Sequence, residues 1–236
     1  AAPPRKTLIP AHYSQIALRV LAHLAGYEAL IEAFRRNEDI HDRTAARVFG
    51  DASGLDRYEL RRRAKIINYA LLYGKTAFTL AKDIGVAQDA AQAFIDAYFA
   101  GFPMVRRFME ETVRQGRETG VVKTMFGRRR LMPAVKSSNR QERTGAEREA
   151  VNMPIQGTAA DILKRAMIDL HAALPARRLT TRMILTVHDE LLFEGPLEEA
   201  DEASALVRER MEAAANLSVP LVVDVGTAEN WRDAKP

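Results

Sequence analysis

Cysteine is absent from the 236 residues of this chain, and so is any long apolar run. The first absence excludes disulfide bonds, thiolate zinc sites and a cysteine nucleophile. A membrane-spanning helix needs about 18 consecutive apolar residues, so we expect no span. Residues 1–10 also lack the apolar stretch of a signal peptide, and we expect no secretory leader there.

The composition is otherwise that of a protein with a substantial core, because 47% of the residues are hydrophobic. The length predicts one or two domains. The net charge of +4 and the pI of about 9.4 fit an anionic partner, although many proteins share such values. The charge is uneven: residues 61–65 and 128–130 are basic, and residues 197–212 are acidic.

Apolar spacing predicts a mainly helical first half and an α+β second half around an antiparallel sheet. We expect a short strand at residues 7–9, which Pro10 would confine to a sheet edge or a strand end. Pro154 is expected to interrupt the chain between helices at residues 140–151 and 159–173. Further helices are predicted at residues 14–25, 28–35, 41–49, 57–73, 89–98, 105–117 and 198–215. Further strands are predicted at residues 121–125, 130–132, 182–187, 191–194 and 219–225.

The predicted helix at residues 57–73 has one face with an unusual composition. Arg61, Lys65, Tyr69 and Tyr73 are four residues apart and therefore share that face. Like charges at this spacing repel each other, which indicates an anion in front of them. Two cations followed by aromatic rings would suit a nucleotide, with phosphates at one end and the base at the other. The alternative is a solvated basic face with packed tyrosines.

Residues 61–74, RRRAKIINYALLYG, resemble motif B of the polymerase I family of DNA polymerases (family A). The usual form of that motif is R-R-x-x-K-x-x-N-[FY]-G-x-x-Y-G, and Ala70 replaces its first glycine. The resemblance implies triphosphate binding by Arg61 and Lys65, stacking of Tyr69 on the nucleotide, and a templating-site role for Tyr73.

Residues 187–190, VHDE, resemble motif C of the same family. Apolar residues alternate on either side of this stretch, so we expect Asp189 at the top of a buried sheet. Carboxylates there would suit Mg²⁺, which prefers oxygen ligands. The resemblance implies Asp189 as a catalytic metal ligand, Glu190 as its catalytic neighbour and His188 as a DNA contact. The alternative is a plain acidic turn.

Residues 12–19, HYSQIALR, resemble motif A, whose usual form is D-Y-S-Q-I-E-L-R. His12 stands at the catalytic aspartate and Ala17 at the glutamate that, in the family, excludes ribonucleotides. The resemblance implies the Tyr13 backbone carbonyl and residue 12 as metal ligands, and Gln15 as a nucleotide contact. Imidazole suits Mg²⁺ poorly, so a loss on the order of 4 kcal/mol, about a thousandfold in rate, is expected. The alternative for His12 is a hydrogen-bonded histidine at a strand end, with no metal.

Two further stretches are similar to family segments. Residues 147–164 resemble the Q-helix region, and residues 127–130 resemble a G-R-R-R segment. The resemblance implies that the following residues contact DNA: Arg148, Asn152, Gln156, Arg128 and Arg129. The alternatives are an ordinary helix surface and a soluble hairpin. His41 falls in a short landmark that implies nucleotide binding, and Trp231 is expected to serve in packing.

The similarity extends from about His12 to the C-terminus, and motif B, the Q-helix region and motif C occur in the family's order. It implies a right-hand polymerase fold reduced to palm and fingers, without thumb or exonuclease domains. We expect palm at residues 1–25 and 136–236, and fingers at residues 26–135 with the O helix at residues 57–74. The implied activity is template-directed DNA synthesis with a two-metal Mg²⁺ or Mn²⁺ site, weakened by His12 and Ala17.

The implied partners are primer-template DNA and deoxynucleoside triphosphates, for a cytoplasmic monomer that associates with the nucleoid when bound to DNA and does not interact with membranes. The alternatives are a catalytically inactive polymerase-like protein that still binds nucleic acid, and an isolated polymerase fragment.

Overall fold

A computed structural model of the chain describes residues 1–50 and 54–234. These residues divide into two compact units, the first formed by Ala1–Val20 and Thr158–Pro236 and the second by Leu21–Gly157. The described helices are α1 (Ile16–Ala25), α2 (Glu28–Arg35), α3 (Ile40–Phe49), α4 (Arg57–Leu72), α5 (Ala77–Ile84), α6 (Gln88–Gly101), α7 (Pro103–Thr119), α8 (Arg140–Ala176) and α9 (Ala200–Glu212). The described strands are β1 (Lys6–Tyr13), β2 (Val121–Lys123), β3 (Arg129–Leu131), β4 (Arg182–Val187), β5 (Glu190–Pro196) and β6 (Val223–Val225).

The first unit is built on a four-stranded antiparallel sheet in the order β4-β5-β1-β6. Helix α9 packs on it, and the hydroxyl of the buried Tyr13 donates a 2.7 Å hydrogen bond to the Met211 carbonyl. The core on this side of the unit includes Ile9, Phe193 and Val207, which are all fully buried. The predicted α+β class with an antiparallel sheet is confirmed.

The predicted position of Pro10 is wrong, because it lies in the middle of the internal strand β1. Proline lacks the N–H that a ladder hydrogen bond needs. Its carbonyl accepts from Gly226 N at 3.1 Å, so the missing N–H faces β6. The ladder to β6 begins only at Ala11, and an isolated bridge joins Leu8 to Ala228. Pro10 therefore lies where pairing with the neighbouring strand is interrupted.

Strand β4 also departs from the expectation that Asp189 lies at the top of a buried sheet. Leu191 and Phe193 of β5 are fully buried, whereas Ile184, Leu185 and Val187 of β4 are 49%, 42% and 36% exposed. The reason is the strand order, which makes β4 the edge of the sheet. Only the β5 side of the hairpin lies in the apolar core.

The second unit is helical, with the two-stranded β2–β3 hairpin that the sequence predicts. Helix α4 begins at the cap Asp56, whose side chain accepts from Glu59 N at 2.8 Å. It ends before Gly74, which adopts a φ of +65°. A Cβ on Gly74 would approach Arg148 Cγ to 2.7 Å, so a side chain there would displace Arg148 and would also be strained by the backbone conformation. The cores of α4 and α5 include Ile67 and Leu80, both fully buried.

The predicted break at Pro154 is wrong, because α8 runs without interruption for 37 residues. A proline inside a helix costs about 3 kcal/mol. Around it, Ala150 and Ile155 are fully buried and Met153 is 7% exposed, and Ala150 and Met153 belong to one apolar cluster with residues of the β2–β3 region. Packing of the flanking turns therefore outweighs the local cost.

No described helix, in residues 1–50 and 54–234, has the length and apolar character needed to cross a bilayer.

Candidate active site

The tip of the β4–β5 hairpin gathers acidic side chains around one histidine in the first unit. In the register of β1, His12 lies opposite Glu190 on one side and Asp224 on the other, so the three share a face of the sheet. Asp189 lies in the two-residue turn between β4 and β5, and its Oδ2 lies 3.5 Å from His12 Nε2. The Asp189 carbonyl accepts from Tyr13 N at 3.1 Å, which ties the turn to β1. His188, in the same turn, adopts a φ of +54°.

The carboxylates determine the charge of His12. The hydrogen bond to Asp189 raises the pKa of His12, and this outweighs the effect of burial, which lowers it. The negative charges of Asp224 and Glu190 raise the pKa further. The imidazole is therefore more readily protonated than a free histidine, and when it is protonated it forms an ion pair with Asp189. Both side chains are accessible to solvent, at 43% and 37% exposure.

Glu190 has a partner that the sequence analysis missed. The indole Nε1 of Trp231 donates a 2.5 Å hydrogen bond to Glu190 Oε1. Trp231 was expected to serve only in packing, and that expectation was incomplete. The two residues are 41 positions apart, so no local sequence signal connects them.

The donor set at this tip does not fit a pair of magnesium ions. The carboxylate of Asp189 is already in contact with the imidazole of His12, which carries a positive charge when protonated. The carboxylate of Glu190 accepts a hydrogen bond from the indole N–H of Trp231. Within the described ranges, no group of three or more His, Asp or Glu side chains is disposed to hold a metal. Two magnesium ions need several anionic oxygens at short range. No chemical step is therefore assigned to a metal at this site.

Motif A supplies two further candidates in the first unit. Gln15 adopts a φ of +54°, and its buried Oε1 has no hydrogen-bond partner among the described residues. Ala17 is half-buried at the start of α1. The side chain of Tyr13 points into the core, where burial raises its pKa, so only its backbone remains available to a ligand.

In the second unit, α4 borders a groove with a volume of about 440 Å³. Lys65, Tyr69 and Tyr73 line it together with Arg62. The rings of Tyr69 and Tyr73 are stacked, with centroids 6.3 Å apart and an interplanar angle of 27°. The predicted common face of α4 is therefore present for three of its four residues.

Arg61, the fourth residue of that predicted face, does not line the groove, because its guanidinium is paired with Asp39. Its Nη2 and Nε lie 2.7 and 2.8 Å from Asp39 Oδ2, at the N-terminal cap of α3. Arg62 and Arg63 are both paired with Glu59. The inference that an external anion must balance these charges is therefore weaker than the spacing indicated. Lys65 is exposed and has no ion pair among the described residues.

His41 lies one residue beyond the start of α3 and is only 2% exposed. Burial is the main cause that lowers its pKa to about 4. Its ring centroid lies 6.1 Å from that of Tyr69, and its Nδ1 lies 3.0 Å from Asn68 Nδ2. The ring is therefore neutral near pH 7 and adjoins an aromatic residue that lines the groove.

The predicted DNA contacts of the second unit lie on α8 and the β2–β3 hairpin. Arg148, Asn152 and Gln156 follow one another at four-residue spacing on the continuous α8, and Arg148 and Gln156 are exposed. Arg128 donates a 2.9 Å hydrogen bond to the Gly157 carbonyl, whereas Arg129 is exposed in β3. One guanidinium N–H of Arg128 therefore connects the β2–β3 hairpin to α8.

Comparison with known proteins agrees with these motifs. The model of DNA polymerase family A matches residues 1–233, so the expected start of the similarity at His12 is wrong. DNA polymerase I of Deinococcus radiodurans is 49% identical over 230 residues, which are 97% of this chain and 24% of that protein. DNA polymerase I of Pseudomonas aeruginosa is 48% identical, over 99% of this chain and 26% of that protein.

A solved structure is similar over nearly the whole chain. The POL domain of Pol1 from M. smegmatis, in complex with DNA primer-template and dNTP, has a TM-score of 0.93 and 44% identity. The match covers 99% of this chain and 41% of that one. The chain spans about a quarter of the length of the curated relatives it matches.

Proposed function

Since the chain belongs to DNA polymerase family A, we propose that it adds deoxynucleotides to a primer 3′ end under the direction of a template strand. The observation that supports this most is the α4 groove, which combines Lys65, a cation without an ion pair in the described part of the chain, with the stacked rings of Tyr69 and Tyr73. A cation beside aromatic rings can bind the phosphates and the base of one nucleotide. The solved M. smegmatis relative binds both DNA primer-template and dNTP.

The remaining roles in nucleotide binding are proposed from the motifs. Lys65 contacts the triphosphate, Tyr69 stacks on the nucleotide, and Gln15 and His41 contribute further contacts. Arg61 can join them only by exchanging its ion pair with Asp39 for one with phosphate.

DNA binding is proposed for polar residues of α8 and the hairpins, with Tyr73 at the template. These residues are Arg148, Asn152, Gln156, Arg128, Arg129 and His188. The palm would comprise residues 1–25 and 136–236, and the fingers residues 26–135; residues 51–53 and 235–236 of these ranges lie outside the described part of the chain. The protein would act as a monomer in the cytoplasm, at the nucleoid when on DNA.

Chemistry by this chain should be slow, because Asp189 is paired with His12 where the family has a second carboxylate. Mg²⁺ or Mn²⁺ is the expected cofactor of such a transfer, and weak binding of either ion is proposed here. Ala17 leaves the position of the family's sugar-excluding glutamate without a bulky side chain, so discrimination against ribonucleotides should be poor. The same His12–Asp189 pair favours a second candidate, a polymerase-like protein that binds DNA and nucleotide without turnover.

Primer extension separates the two candidates. A short primed template is incubated with the chain and with His12→Asp, in Mg²⁺ and in Mn²⁺ separately. Extension by the unmodified chain supports a working polymerase. Extension by His12→Asp alone supports the inactive candidate for the present sequence. If neither extends, DNA binding measured against salt concentration decides, because binding through phosphates falls steeply with salt. An affinity no greater than that of an unrelated basic protein would reject both candidates.

A further inference from the structure

Three polar side chains are buried together between α3 and α4 of the second unit. Thr44 is fully buried, and His41 and Asn68 are each 2% exposed. Asn68 Nδ2 lies 3.0 Å from Thr44 Oγ1 and 3.0 Å from His41 Nδ1. Buried polar groups are stable only when their hydrogen bonds are made, so the protons of this trio must be distributed consistently.

The distribution can be worked out from Thr44. Its Oγ1 lies 2.8 Å from the Ile40 carbonyl and 3.1 Å from Asn68 Oδ1, which can both only accept, so the hydroxyl proton points to the nearer oxygen, that of Ile40. The Thr44 oxygen then accepts one proton of the Asn68 amide. The second amide proton faces His41 Nδ1, which must offer a lone pair. The single ring proton of neutral His41 is then on Nε2.

The surrounding charges are consistent with a neutral ring. His41 is surrounded by charged and aromatic groups from two helices. Asp39 and Asp42 lie at the cap and in the first turn of α3, and Arg61, Lys65 and the Tyr69 ring come from α4. Asp39 is already engaged, because its carboxylate accepts from the backbone N–H groups of His41 and Asp42 and from Arg61. Within residues 1–50 and 54–234, no carboxylate therefore accepts from the imidazole, and burial lowers the pKa of His41 to about 4.

We propose that Asn68, held by Thr44, is a positioning residue that keeps His41 as the neutral tautomer with its proton on Nε2. A phosphate that reaches this ring then meets a hydrogen-bond donor without a charge; because the ring is only 2% exposed, the residues that cover it must move first. This inference rests on the proposed nucleotide-binding function of α4. A phosphate oxygen accepts from an N–H and is repelled by a ring nitrogen lone pair, so the tautomer decides whether the contact is attractive. The positive charge at the groove then comes from Lys65, and the histidine contact does not change between pH 6 and pH 8.

Nuclear magnetic resonance of the chain labelled with ¹⁵N at histidine tests the tautomer directly, without DNA or nucleotide. The expected result at pH 7 is a protonated Nε2 and a bare Nδ1 for His41. Asn68→Asp keeps the shape but replaces the amide donor by a carboxylate. It should move the proton to Nδ1 and raise the titration midpoint of His41 above its ordinary 6.5. The exposed His171 is the internal control, and its signals should not differ between the two proteins.

The test remains decisive if Asn68→Asp does not fold, because the tautomer of the unmodified chain is read first. A proton on Nδ1 in that chain overturns the proposal, and so does an Asn68→Asp protein with an unchanged tautomer. dATP is then added to a second sample, labelled with ¹⁵N at both histidine and lysine, and should shift the His41 Nε2–H signal. If dATP shifts the Lys65 signals but not this one, the positioning role is overturned while nucleotide binding stands. If dATP shifts neither, the proposed nucleotide-binding function itself fails.

Discussion

Replacing His12 by aspartate exchanges an attractive contact for a repulsive one in the protein without metal. His12 Nε2 and Asp189 Oδ2 are 3.5 Å apart, and Glu190 and Asp224 lie directly opposite residue 12 on the flanking strands. Unit charges about 4 Å apart interact by about 1 kcal/mol in water and about 4 kcal/mol near a protein surface. Because both side chains of the pair are more than one-third exposed, the lower part of that range applies, and we expect a loss of roughly 1 to 2 kcal/mol.

The assay is thermal unfolding in EDTA and then with increasing Mn²⁺. A loss of 1 kcal/mol lowers the melting temperature of a chain this size by about 2–4 °C, so His12→Asp should melt roughly 2–8 °C lower in EDTA. The introduced carboxylate also completes an acidic site, so Mn²⁺ should restore the loss; an ion at 100 times its Kd stabilises by about 2.7 kcal/mol. His12→Asn is the matched control, since it removes the attraction without adding a charge. It should melt between the other two proteins and respond little to Mn²⁺.

Two results would refute this reasoning. If His12→Asp melts at the temperature of the unmodified chain in EDTA, the His12–Asp189 contact contributes nothing to stability. If Mn²⁺ raises the melting temperature of all three proteins equally, the ion binds somewhere other than the hairpin tip.

Other parts of the chain give further predictions. Lys65→Ala should weaken dATP binding about tenfold while primer-template binding falls less than twofold, measured by titration calorimetry and fluorescence anisotropy; equal losses would make Lys65 part of a general basic surface. His41 is neutral in the folded protein with a pKa of about 4 against 6.5 in the unfolded chain, so its contribution is present above pH 6.5 and is lost as the pH falls towards 4. Urea unfolding at pH 7 and pH 4.5 should show a loss of at most roughly 3 kcal/mol that is reduced in His41→Gln, and an identical loss in both proteins would contradict the assignment. Gly157→Ala should lower stability by about 1–3 kcal/mol, because its Cβ would lie 2.7 Å from Thr124 Cγ2. The control Gly145→Ala has no atom within 4 Å of the new Cβ and should raise stability by about 0.5–1 kcal/mol; a loss of the same size in both variants would point to a common helix effect.

Local pattern was sufficient for much of the secondary structure. Helix α2 and strand β4 have the predicted bounds, and α4 ends one residue earlier than predicted. Each of these elements is determined by side-chain periodicity and end signals within a few residues, which are visible in the sequence. The family assignment likewise followed from three short motifs in order, and the match over residues 1–233 confirmed it.

Some features depended on contacts between distant parts of the chain. Pro10 fits inside the internal strand β1 because the hydrogen-bonded ladder between β1 and β6 begins only at Ala11. Helix α8 continues through Pro154 because the turns on either side of this proline are buried. The same holds for charge: Arg61 pairs with Asp39, 22 residues away, and Glu190 with Trp231, 41 residues away.

The sequence by itself therefore determined the family, the motif residues and most elements, since these depend on local order. Only the tertiary structure decided which candidate side chains are available to a ligand. Lys65 is available, whereas Arg61 is paired with Asp39 and Asp189 with His12. The physical reason is that a charged side chain pairs with the opposite charge that the fold brings within about 4 Å. Spacing along the sequence does not predict that distance.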